Sequence, residues 1–167
     1  QDLEALIVSL EREMRKVFVE QFTILQAYFA VSFKRLFGGG HAELKLANPE
    51  DPLHCDVDVI VQPPGKKRQL LSLFSSGERA LTAIALLFAM LRLRPSPFCI
   101  LDEAEAALDE ANVGSFGDYL NEMACGTQFI AITHRKGTME RCDSLFGVAM
   151  EERGVSDLVS VNLKDYQ

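Results

Sequence analysis

From Leu3 to Phe37 the chain carries neither proline nor glycine, the residues that most often interrupt a helix. Apolar side chains recur there at Leu3, Leu6, Ile7, Leu10, Met14, Val17, Phe18, Phe22, Leu25, Phe29, Phe33, Leu36 and Phe37. Steps of three and four match the helical repeat, so the run is predicted to be one long amphipathic helix with a single buried stripe. Gly38-Gly39-Gly40 ends it, since glycine readily takes the left-handed conformation that closes a helix. Spacing alone leaves two fates open, a core helix or the end of a coiled-coil stalk continuing upstream. A chain that starts at Gln1, already inside the helical pattern, is expected to be a fragment of a longer protein or an engineered piece.

Past the glycines the period changes. His41 to Leu46 and Cys55 to Gln62 alternate apolar with polar residues, and Asn48-Pro49-Glu50-Asp51-Pro52 lies between them, which predicts two strands joined by a turn-rich loop. Pro63-Pro64-Gly65-Lys66-Lys67-Arg68 follows as an exposed basic turn, either a solvated loop that keeps a sheet edge soluble or a small DNA contact. The rest alternates: a helix from Glu78 to about Arg92, a strand at Phe98 to Leu101, a helix after Asp109, a strand at Phe129 to Thr133, and a final pair at Leu145 to Met150 and Val155 to Leu163. Nearly all-apolar strands separated by helices predict an α/β core, with a mostly parallel sheet flanked by helices on both faces. Ligands in such folds sit at the carboxyl ends of the strands.

Phe98-Cys99-Ile100-Leu101-Asp102-Glu103 runs four apolar residues of a buried strand straight into two carboxylates. Consecutive acids there are costly unless a cation or a reacting group uses them. Asp102 suits Mg2+, a hard ion that takes oxygen ligands, and Glu103 suits a general base for the water that attacks a γ-phosphate, which is the Walker B pattern. The plainer alternative is a pair of acids capping the next helix. Ser75-Ser76-Gly77-Glu78-Arg79, just ahead of a long apolar helix, could bring backbone N–H groups to a phosphate, or could be an ordinary capping box of Ser75 with Glu78. His134, ending the next strand in Thr133-His134-Arg135, would by itself more often be structural.

The order of these segments, with Ala107-Leu108-Asp109-Glu110 between the acids and the histidine, resembles an ABC-type ATPase. Leu71 to Leu91, Pro95 to Val113 and Thr127 to Glu140 are similar to the signature motif, the Walker B and D-loop region, and the switch-histidine region of SMC (structural maintenance of chromosomes) proteins. Phe37-Gly38-Gly39-Gly40, Pro63-Pro64-Gly65-Lys66-Lys67 and Thr133 to Glu140 resemble the bacterial and archaeal branch. The resemblance implies the carboxy-terminal lobe of an ABC-type ATPase head over residues 38–167, with residues 1–37 as the end of the coiled-coil arm entering it. It implies ATP and Mg2+ as cofactors. Glu103 and His134 are then catalytic, Asp102 holds the metal, and Ser75, Ser76, Gly77, Glu78 and Asp109 contact ATP. The family usually carries glycine where this chain has Ser76, which would strain the loop if that position required positive φ.

No stretch matches the phosphate-cradling G-x-x-x-x-G-K-[ST] loop; Gly65-Lys66-Lys67 lacks the upstream glycine and the following hydroxyl. The resemblance therefore implies an amino-terminal half-head carrying that Walker A loop as a partner. It also implies a second SMC head in a homodimer, with the Ser75 and Gly77 of each head acting on the other's ATP. It implies as well a kleisin winged-helix domain near Leu145 to Leu163, DNA as a partner, and a role in chromosome condensation, organisation and segregation. Alternatives are an ABC-class ATPase of DNA repair and a non-catalytic docking module. A net charge of −7 restricts any DNA contact to a local patch. Four scattered cysteines without a CxxC pair suit a reducing cytoplasm, and no apolar stretch is long enough for a membrane span, so a cytoplasmic protein is expected, and the resemblance implies that it is nucleoid-associated.

Overall fold

The computed structural model describes residues 2–152 and 154–163; Gln1 and residues 164–167, at the outer ends of the two predicted spans, lie outside the described residues. The proline-free run forms α1 (Asp2–Leu36), and the chain leaves it through Gly38 in the left-handed region, with the Gly39 N–H donating to the Lys34 carbonyl at 2.8 Å. The predicted stripe exists, but its two halves have different surroundings. Phe22, Phe29, Phe33 and Leu36 are buried, whereas Leu3, Leu6, Leu10 and Met14 stay more than half exposed.

Strands β1 (His41–Leu46) and β2 (Val57–Gln62) pair antiparallel, and the two-residue β3 (Gln69–Leu70) adds to β2. Leu44 and Val61 lie on the covered face, against which α1 packs. Gly40 is required where α1 meets the sheet. Its φ is +82°, and a Cβ there would lie 2.3 Å from the Gln62 carbonyl oxygen. A 3-10 turn at Leu71–Leu73 leads to α2 (Ser76–Leu93), whose Leu81, Ile84, Ala85, Phe88 and Ala89 face the core beside α1.

Next come β4 (Phe98–Asp102), α3 (Glu110–Met123) and β5 (Gln128–Ile132), a βαβ unit with its strands parallel and Asp102 opposite Ile132. A short α4 (Lys136–Met139) leads to the hairpin of β6 (Ser144–Glu152) and β7 (Val155–Asn162). The core is aromatic: Phe88 meets Tyr119 edge-on at 4.9 Å and Phe129 at 6.2 Å. The Tyr119 hydroxyl, buried among them, shares a 2.8 Å hydrogen bond with Ser32 of α1.

The expectation of a mostly parallel sheet does not hold. Among the described residues the strands form three small sheets, and only β4 and β5 are parallel. Parallel neighbours need a long crossover, and only this pair has a helix of several turns between them; the rest are joined by loops and pair antiparallel. Coverage on both faces also fails for β4–β5. Cys99, Leu101, Phe129 and Ala131 turn toward the core side, while Phe98, Ile100, Ile130 and Ile132 on the other face are 47–57% exposed.

Candidate functional site

Parallel pairing brings the end of β4 and the end of β5 to the same edge. The Glu103 N–H extends the ladder by donating to the Ile132 carbonyl at 2.9 Å, after which the chain turns sharply. Glu103 makes that turn with φ +46°, and it is the single non-glycine residue with positive φ among the described residues. Such a conformation costs about 1–3 kcal/mol and persists where the surroundings impose it. Here they do: the Ala106 N–H reaches the Glu103 carbonyl at 3.0 Å and the Leu108 N–H reaches the Glu105 carbonyl at 2.9 Å, winding the following loop tightly. The outcome is that the Glu103 carboxylate lies 3.3 Å from Nδ1 of His134, both side chains more than half exposed. The predicted pair is thus brought together and presented to solvent, with Asp102 exposed one residue earlier.

Below this pair is a residue the sequence analysis missed. Glu105 is 1% exposed, and its Oε1 accepts from the Thr133 hydroxyl and, at 2.9 Å, from the Thr138 hydroxyl. Thr133 Oγ1 accepts the Arg135 N–H at 3.0 Å, while the Arg135 guanidinium donates to the Leu108 carbonyl. Arg135 Nε is buried without a hydrogen-bond partner among the described residues. The available signal was an acid set between alanines in Ala104-Glu105-Ala106-Ala107, where nothing in the local pattern calls for a charge.

The predicted signature residues form a second cluster. Ser75 N-caps α2, and the capping box is complete: Ser75 Oγ accepts the Glu78 N–H and the Glu78 carboxylate accepts the Ser75 N–H. The Ser75 hydroxyl also donates to Glu78 Oε2 at 2.9 Å. Lys66, from the basic turn, donates to Glu78 Oε1 at 2.8 Å and, with burial opposing it, holds that carboxyl below its usual range. Arg68 of the same turn pairs with Glu43, so two of its three cations are engaged within the chain. Ser76 opens α2 without positive φ, which removes the strain expected of a side chain there. Gly77 lies close to the loop of the acids, since a Cβ on it would sit 3.2 Å from the Ala107 carbonyl oxygen. Asp109 N-caps α3, accepting the Asn112 N–H at 2.9 Å. No hydrogen bond or ion pair among the described residues joins Ser75 or Glu78 to Glu103 or His134.

Among the described residues no group of three His, Cys, Asp or Glu side chains could enclose a metal ion. Asp102 instead offers one exposed carboxylate at a strand end. That donor set fits Mg2+, which keeps its waters and takes its other ligands from phosphates. At the α2 N-terminus the capping box occupies the Ser75 and Glu78 N–H groups, which leaves those of Ser76 and Gly77 as the donors that fit a phosphate. No helix among the described residues is long and apolar enough to cross a membrane.

A long first helix, small sheets and a parallel βαβ unit whose strand ends carry an acid–histidine pair define an α/β domain. The family described as RecF/RecN/SMC N terminal domain matches residues 5–157. The Chromosome partition protein Smc of Bacillus subtilis is 57% identical over 159 residues, covering 95% of this chain and 13% of that protein. The Smc head domain of Pyrococcus furiosus, solved with an extended coiled coil and bound to the C-terminal domain of ScpA, superposes with a TM-score of 0.87 at 38% identity, over 99% of this chain and 41% of that one. A chain from a study of ATP-driven dimerization and DNA-stimulated activation of SMC ATPases gives a TM-score of 0.83 at 36% identity, over 91% of this chain and 92% of that one. This chain therefore belongs to the SMC family and is a region of the SMC head.

Proposed function

We propose that the chain is the carboxy-terminal half of an SMC ATPase head, completed by an amino-terminal half that carries the Walker A loop. The observation that carries the proposal is Glu103, held in a left-handed backbone conformation so that its carboxylate meets His134 at the ends of two parallel strands. Glu103 is the general base, taking the proton of the attacking water, and His134 orients that water and the transferred phosphoryl group. Asp102 holds the metal, and bound Mg2+ supplies neutralisation of phosphate charge. Ser75, Ser76, Gly77 and Glu78 present the α2 N-terminus to the nucleotide of a second, identical head, and Asp109 contacts ATP two residues past the Ala107 carbonyl that Gly77 approaches.

Two open surfaces support the partners. Parallel strands are ordinarily covered on both sides, and the bare row of Phe98, Ile100, Ile130 and Ile132 suits packing against the amino-terminal half. The exposed β6–β7 hairpin suits a kleisin winged-helix domain, in keeping with the ScpA-bound relative. Residues 1–37 then form the end of the coiled-coil arm and 38–167 the lobe itself. The assembly acts on DNA in chromosome condensation, organisation and segregation, as a cytoplasmic, nucleoid-associated machine. The test is ATP turnover by the two halves mixed. Glu103→Gln is expected to lower kcat by about 100-fold or more while ATP-held dimers persist; unchanged turnover would remove Glu103 from the base role. Ile130→Asp is expected to leave this chain folded and to abolish turnover by preventing assembly; full turnover would remove the assembly surface.

A further inference from the structure

Glu105 is a carboxylate that the proposed hydrolysis does not use. A buried carboxylate is costly unless hydrogen bonds satisfy it, and an apolar side chain of like size would fill the same space at less cost. Its bonds all run to one strip of chain. Thr133 and Thr138 donate their hydroxyls to the same Oε1, and Thr133 in turn accepts the Arg135 N–H at 3.0 Å, so the residues on both sides of His134 are tied down. Glu105 itself belongs to the tight loop begun by Glu103, and Arg135 adds a second tie from the histidine turn to that loop at the Leu108 carbonyl.

We propose that Glu105 is a positioning residue: through the Thr133 and Thr138 hydroxyls it locks the Thr133-His134-Arg135 turn to the loop of the acids, and so sets the 3.3 Å contact between His134 and Glu103. The inference rests on the ATPase role proposed above. It gives the two loops one rigid register, so that the carboxylate and the imidazole move together when a partner head engages the loop near Ala107 and Asp109. Two hydroxyls on one oxygen make this an acceptor's task rather than a charge's. Glutamine retains that oxygen and methionine, of similar length, does not.

The experiment compares Glu105→Met, Glu105→Gln and Thr133→Val in the assembled head. Glu105→Met is expected to lower kcat by about tenfold with KM for ATP within about twofold, and Glu105→Gln to stay within about threefold of the parent. Thr133→Val should match Glu105→Met, and the double variant should be no slower than either, because both remove one link. Hydrogen exchange at the Arg135 amide, which does not depend on turnover, should accelerate about tenfold in Glu105→Met and remain slow in Glu105→Gln. Unchanged kcat in Glu105→Met, additive losses in the double variant, or unaltered exchange at Arg135 would each overturn the proposal. Should the parent head fail to hydrolyse ATP, the ATPase role falls, and the exchange result alone decides whether Glu105 locks the turn.

Discussion

Two antiparallel hairpins in this chain, β1–β2 and β6–β7, begin from the same kind of sequence and end in opposite surroundings. Both have apolar side chains that can share a face across the pair. In β1–β2 that face lies under α1, leaving Leu44 2% and Val61 1% exposed. In β6–β7 every residue of β7 is exposed, and Phe146, Val148 and Leu158 are 67–73% open. A two-stranded ribbon is marginal in water, and a bare apolar one marks a surface awaiting a partner. The difference lies in what stands next to each hairpin rather than in the hairpins themselves.

That contrast can be broken by substitution. Leu44→Ala should cost about 2–5 kcal/mol in chemical unfolding, because it opens a cavity beneath α1. A loss below 1 kcal/mol would mean that β1–β2 is no better packed than β6–β7. Helix ends lie between the two extremes: Asp109→Ala should cost about 1 kcal/mol by removing the α3 cap, measurable as a lower midpoint in the same assay. The Lys66–Glu78 pair anchors the loop leaving β2 to α2. Its Glu78 carboxyl is depressed, so its contribution is full above the unfolded carboxyl value and disappears as pH falls through the folded one. The difference in stability between the parent and Lys66→Met should therefore be constant near neutrality and shrink as pH falls below the unfolded carboxyl value of about 4.3; a difference that grows toward acid would reverse the assignment. Smallest of all, Val148→Ser on the open hairpin should change stability by no more than about 0.5 kcal/mol. A large loss there would show that β6–β7 is buried in solution.

Much of the candidate site was legible because its signals are local. Paired acids after four apolar residues, a serine three positions before a glutamate, and a histidine closing the next strand each announce a strand end or a helix start. The contacts that lie between segments were not legible. Nothing near Glu105 in sequence reveals that its hydrogen-bond donors stand 28 and 33 residues later, and the basic turn gave no sign that Lys66 would meet Glu78. The parallel-sheet expectation went wrong for a related reason: alternating strands and helices set which segments are strands but not which of them pair, and although α2 and α3 each connect two strands, only the strands flanking α3 lie side by side.

By itself, the sequence determined the elements and their chemistry: the glycine-free α1, the capped starts of α2 and α3, and acids set at the end of an apolar strand, because each depends on neighbours within a few positions. Tertiary structure alone decided which apolar faces are covered. It also decided that Ser76 is unstrained and that Glu103 turns left-handed toward His134. Those outcomes depend on register and on packing between distant segments, and no local pattern records either.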